Sequence, residues 1–213
     1  IVRWAEAGAP RGDAEREPAP PTFPSGWQLG EPDLVLRVAE GIVVPASGPD
    51  LIRNLVVPIP LERLQHVAAV EIRPHSRALH HAVLGVDATR ESRRRDAEDD
   101  GPGFGGMALG GASPPDGHFL GWTPGKSVRR SERTFRLRPG DDFVLQLHAV
   151  PTGREERVAP EIGLWFAAAA AAQPFEPIVL FSEAIDIAPG DAAYVLRDHV
   201  DVPVPIVLHA LYP

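Results

Sequence analysis

From residue 33 onward the apolar residues come in short runs, each closed by Gly, Pro, Asp or Ser. Within several runs the pattern has a period of two. Phe143, Leu145 and Leu147 share one side, and Val144, Gln146 and His148 share the other, as side chains on a β-strand must. Runs at 33–38, 41–45, 51–60, 67–73, 79–87, 134–137, 142–150 and 161–166 read as strands, and a further group follows at 177–181, 185–187, 192–200 and 204–212. Many short strands with turn residues between them indicate an all-β protein, an antiparallel sandwich or barrel. Outside the N-terminus, residues 61–65 offer the one plausible helical turn.

The breaks in this pattern suggest an organisation. Residues 1–9 read as the last turns of a helix, ended by Gly8 and Pro10. Residues 10–29 are rich in Pro, Ala and charge and suit an extended linker. A first sandwich is expected over 30–172, with the alanine run 167–172 ending its last strand or leading into a linker. A Pro-bounded break at 173–177 then opens a second group of strands over 173–213. The segment 90–117, poor in apolar residues, reads as a long loop, and loops of that length inside a β domain are functional or disordered. The chain opens without Met and stops directly after an apolar run, so both ends are expected to lie inside a longer protein.

Composition narrows the chemistry. The chain has 213 residues with 24 Pro and 20 Gly, enough punctuation to argue against long helices. Its formal charge of −8 makes it a poor partner for nucleic acid, which needs clustered cations. The one basic run, Arg90 to Arg95, is followed at once by Glu98, Asp99 and Asp100 and reads as a solvated loop. With no Cys, disulfides, thiolate metal sites and cysteine catalysis are excluded. No run is long and apolar enough to cross a membrane as a helix. There is no Gly-x-Ser-x-Gly elbow, and the Gly-rich stretch at 101–106 lacks a phosphate-loop Lys.

With one Met and no Cys, a transition-metal site must be built from His and carboxylates. His80 and His81 are adjacent in an apolar strand. Regular alternation would put Leu79, His81 and Val83 on one side and His80, Ala82 and Leu84 on the other, so one imidazole is expected toward the core. A buried imidazole needs a partner, and a metal is one such partner. On the pair alone, a core histidine bonded to a backbone carbonyl beside an exposed one is the simpler reading. Antiparallel pairing can bring His148 to the pair as a third imidazole, a set that suits copper or zinc alike. Of the other histidines, His118 ends the long loop and is a candidate neighbour of the site. His66, His75 and His199 read as surface or loop residues, and His209 as structural. Met107 reads as a loop residue.

Several segments occur in a recognisable order: Leu79-His80-His81-Ala82-Val83-Leu84, Gly121-Trp122-Thr123-Pro124-Gly125, Leu137-Arg138-Pro139-Gly140, Leu145-Gln146-Leu147-His148 and Gly163-Leu164-Trp165-Phe166. Over roughly 30–166 this order resembles the N-terminal domain of the copper type II, ascorbate-dependent monooxygenases, the family of peptidylglycine α-hydroxylating monooxygenase and dopamine β-monooxygenase. The resemblance implies a jelly-roll-like β-sandwich, with the first strands of a second sandwich at the C-terminus. It also implies one copper ion, the electron-transfer copper, held by His80, His81 and His148. The opening Arg3-Trp4-Ala5-Glu6-Ala7-Gly8-Ala9-Pro10 is similar to the closing helix of a c-type cytochrome domain, as in bacterial multidomain members. The chain departs from animal members in lacking disulfides and in carrying the small Ala82 after the His pair.

The function so implied is that of the electron-transfer, copper-binding part of an O2-dependent monooxygenase, periplasmic or otherwise extracytoplasmic. Such an enzyme hydroxylates a C–H bond of a small or peptide-like substrate using two uncoupled coppers, with ascorbate or haem as the one-electron donor. The oxygen-activating copper would lie in a domain beyond Pro213, so no catalytic residue is expected within this chain, which alone would be inactive. The main alternative is a non-catalytic β-sandwich, a binding or spacer module of a cell-surface or exported protein. A three-His zinc hydrolase is a second rival. It needs a carboxylate base beside the histidines, for which Asp87 is the nearest in sequence.

Overall fold

The computed structural model describes residues 1–20, 22, 25–167 and 175–211. Eleven strands form an all-β sandwich: β1 (Leu34–Arg37), β2 (Ile42–Val44), β3 (Leu51–Pro58), β4 (Gln65–Arg73), β5 (Leu79–Asp87), β6 (Phe104–Gly105), β7 (Leu120–Trp122), β8 (Phe135–Leu137), β9 (Asp142–Ala149), β10 (Glu156–Val158) and β11 (Glu161–Phe166). One sheet has the order β1-β11-β4-β8, the other β6-β3-β9-β5-β7, and β10 pairs with β2 in a separate ribbon. Every pairing is antiparallel.

The inward faces of the two large sheets meet in one apolar core. Leu36, Val67, Ile72, Leu137, Ile162 and Leu164 come from the first sheet, and Leu55, Val57, Leu84, Phe143, Leu145 and Leu147 from the second. Strand β9 lies at the centre of the five-stranded sheet. Its residues Phe143, Leu145, Leu147 and Ala149 are fully buried, as the period of two requires. Trp27, inside the expected linker, packs edge-on against Trp165 with ring centroids 6.0 Å apart. It fits there because β11 carries Gly163, where a Cβ would meet the Trp27 ring at 2.8 Å.

The segment 90–117 departs from the expected loop. Its start forms helix α2 (Glu91–Ala97), following the N-terminal helix α1 (Val2–Glu6). The charges that made it look solvated are what fasten it. Asp87 accepts hydrogen bonds from the backbone N–H groups of Thr89, Arg90 and Ser92. Arg93 makes a two-pronged pair with Asp142 at 2.6 and 2.7 Å, and Arg53 clamps Asp99 and the carbonyls of Pro102 and Gly103. The loop beyond α2 lies over the outer face of the five-stranded sheet at Gly85, where a Cβ would meet Ala112 and Leu109 at 3.1 and 3.3 Å.

Three further expectations differ. Residues 61–65 form no helical turn, and β4 begins there, at Gln65. Strands β6, β7 and β10 were not anticipated, being two or three residues long and carrying Gly or charge. The four runs expected as strands over 177–212 form no ladder among the described residues 175–211. Their apolar side chains are exposed, Val179 and Val207 at 76% and Phe181 at 71%. A strand exists only through a partner, and a lone hairpin is marginal in water. The expected alanine run at 167–172 and the break at 173–177 fall largely outside the described residues.

Candidate metal centre

The site grows out of one irregularity in the central ladder. Leu79 pairs with Ala149, but the next pair is His81 with His148, so two residues of β5 stand against one step of β9. His80 is the extra residue of a β-bulge. A bulge breaks the alternation and re-aims side chains. Leu79 points into the core, and after the bulge Ala82 and Leu84 do so too. Both intervening histidines are therefore left on the outer face. This corrects the expectation that one of the two imidazoles turns inward: His80 is exposed and His81 only half-buried.

His148 shares that face, since its neighbours Leu147 and Ala149 point into the core. The three rings stack edge to face with centroids 5.3, 5.1 and 4.7 Å apart. Their Nδ1 atoms converge. His80 Nδ1 lies 3.1 Å and His148 Nδ1 3.3 Å from His81 Nδ1. One nitrogen from each ring falls within a common span of 4.8 Å, the grouping a single metal ion needs. The three come from two strands of the rigid sheet.

Burial grades along this face. Val144 is fully buried, while Gln146 and His148 are half-exposed. Gln146 donates to Asn54 Oδ1 and to the carbonyl of Met107, which ties the long loop down two residues short of His148. The imidazoles sit just past the edge of that cover. Burial, then the neighbouring charges of His148 and His80, pushes the pKa of His81 below its ordinary value. A lowered pKa keeps the ring neutral, with a lone pair free to bind a cation.

The far nitrogen of His148 has its own partner. Nε2 lies 2.8 Å from Asp50 Oδ2. Asp50 directly precedes β3, whose Ile52 pairs with His148. Asp50 carries no signal in the sequence and becomes visible only once the β3–β9 register is known.

Donor set and geometry fit a small transition-metal ion: three imidazole nitrogens from two paired strands, with His80 open to solvent. The other candidates go elsewhere. His118 lies outside the cluster, with Nδ1 3.2 Å from the Pro115 carbonyl and its ring against Phe135 and Phe175. His75 pairs with Glu161. His66 lies on β4, opposite Arg136 of β8. His199 and His209 are exposed and belong to no strand. Met107 is 71% exposed, and it is its carbonyl that is engaged. Asp87 is no base for a hydrolase here, being fully buried and committed to Thr89 and Ser92.

No family model, curated protein or solved structure matches the chain. An all-β sandwich with a three-imidazole cluster on its outer face is what fold and site define.

Proposed function

We propose that this domain binds one copper ion through His80, His81 and His148 and serves as the electron-transfer unit of an O2-dependent, C–H-hydroxylating monooxygenase. The observation that carries the metal site is the convergence of three Nδ1 atoms from β5 and β9. The choice of copper and of a monooxygenase rests on the order of sequence segments that resembles the ascorbate-dependent family. Copper bound there would supply one-electron redox chemistry at a His-rich site.

This chain's residues define the rest of the role. The β5 bulge presents two adjacent imidazoles on one face, and β9 brings the third. The exposure of His80 leaves an edge that a small or haem-borne one-electron donor can approach. The carboxylates near the histidines in sequence or space are engaged, Asp87 in capping α2 and Asp50 at His148, so the arrangement favours electron transfer over hydrolysis. In this reading O2 and the substrate meet at a second copper in another domain, and the exposed apolar run of 175–211 belongs to that second sandwich. The setting would be periplasmic or extracytoplasmic.

Copper titration with electron paramagnetic resonance tests the reading. One type II copper per chain is expected for the wild type, with at least tenfold weaker binding in His148→Ala. No stoichiometric copper on a folded wild type would leave the non-catalytic binding or spacer module as the better account.

A further inference from the structure

We infer that Asp50 is a positioning residue for the metal centre, holding His148 in the one tautomer and orientation that aim Nδ1 at the other two imidazoles. The inference rests on the reading of the three histidines as a metal site. It concerns a residue outside the ligand set.

The argument is one of hydrogen-bond roles. Asp50 Oδ2 lies 2.8 Å from His148 Nε2, and a carboxylate accepts but does not donate. Nε2 therefore carries a proton, and in the neutral ring, the form that can ligate a metal, the lone pair sits on Nδ1. Nδ1 faces the cluster, 3.3 Å from His81 Nδ1. A ring flip would put carbon atoms where both nitrogens stand, and the other tautomer would turn the proton toward the metal position; either forfeits the contact with Asp50. Ligating histidines commonly give their second N–H to a carboxylate, which fixes the ring and raises its basicity as a ligand. Backbone geometry makes the contact repeatable, because the ladder sets Ile52 opposite His148 and Leu51 opposite Ala149, with Asp50 next in the chain.

A purely structural role explains the pair poorly. The Asp50 side chain is 53% exposed, and exposed ion pairs add little to folding. Its leverage is on the ring, not on the sandwich.

The test uses the whole chain in wild-type, Asp50→Ala and Asp50→Glu forms, with copper as the probe and two readouts. In the metal-free protein, imidazole ¹⁵N shifts above the histidine titration range should report His148 as the Nε2–H tautomer in the wild type. Asp50→Ala should give a mixture, and Asp50→Glu should restore the preference. Copper affinity should fall ~10–100-fold in Asp50→Ala, recover in Asp50→Glu and leave the thermal midpoint unmoved. Equal affinity in Asp50→Ala, an unchanged tautomer, or a lowered midpoint that accounts for the loss would each overturn the positioning role while the three-His site stands. A folded wild type that takes up no copper would overturn the site itself, and the role of Asp50 with it.

Discussion

The two ends of the β5–β9 ladder carry opposite chemistry on the same pair of strands. At one end Asp87 pairs with Asp142, and at the other His81 pairs with His148. Both aspartates are fully buried, and each is saturated from within the chain. Asp87 takes hydrogen bonds from Thr89, Arg90 and Ser92, and Asp142 takes two from Arg93. The imidazoles are half-open, and their Nδ1 atoms face one another. Polar groups placed for folding are closed off by their partners, because a buried one left bare is costly. Polar groups placed for a ligand keep their lone pairs pointing at a common space. The first end fastens α2 to the sheet, and the second leaves three imidazoles facing one another in a grouping that could hold a metal ion.

The sharpest way to break this contrast is to remove a partner at the closed end. Arg93→Ala would leave the Asp142 carboxylate, 0% exposed, without its guanidinium. Breaking a pair with one buried member is strongly destabilising. A loss of about 3 kcal/mol in urea unfolding is expected, with release of α2 visible as faster amide exchange over 91–97. A loss under about 1 kcal/mol would mean that Asp142 finds water or another donor, and that the closed end is less closed than its burial implies.

A milder perturbation is acid. Burial alone would push the Asp87 carboxyl up, but the hydrogen bonds from Thr89 and Ser92 outweigh it and hold its pKa at about 2, against an ordinary 3.8. A depressed pKa adds stability that is complete above about pH 4 and is lost as the pH falls toward 2. The shift corresponds to roughly 2 kcal/mol. The stability difference between wild type and Asp87→Asn, followed by denaturant unfolding, should therefore shrink by about that amount between about pH 5 and pH 2. A difference independent of pH would show that the cap works through shape and not through charge.

How much of this could be read from sequence follows from which interactions are local. β5 and β11 have the bounds expected of them, because β5 closes on Asp87 and β11 opens directly after Pro160. His80, His81 and His148 were legible as candidates because adjacent imidazoles in an apolar strand demand an explanation. The bulge was not legible. It is a property of the pairing with β9, and alternation within β5 alone predicts the opposite facing for one ring. Helix α2 was hidden although Arg94 and Arg95 pair locally with Glu91 and Glu98, because the pair that fastens it to the sheet, Arg93 with Asp142, spans 49 residues and composition reads it only as charge. Asp50 was hidden for the same reason, lying 98 residues from His148.

Of these perturbations of the ladder, the one with the smallest expected effect on stability is the most informative about the site. If His80 is the inserted residue, deleting it leaves Leu79 opposite Ala149 and His81 opposite His148 in a regular ladder. Leu79, Ala82 and Leu84 would still face the core and His81 would still face outward, because removing one residue restores the period of two. Core packing is untouched and the residue removed is exposed, so unfolding should shift by less than about 1 kcal/mol. The same deletion takes away one of three converging imidazoles and should weaken copper binding as severely as His148→Ala. A large loss of stability would show instead that the bulge is needed to shape the sheet. Tolerance of the deletion together with loss of the metal would mean that the extra residue serves the ligand, and that the open end of the ladder bends away from regular pairing to present a second imidazole.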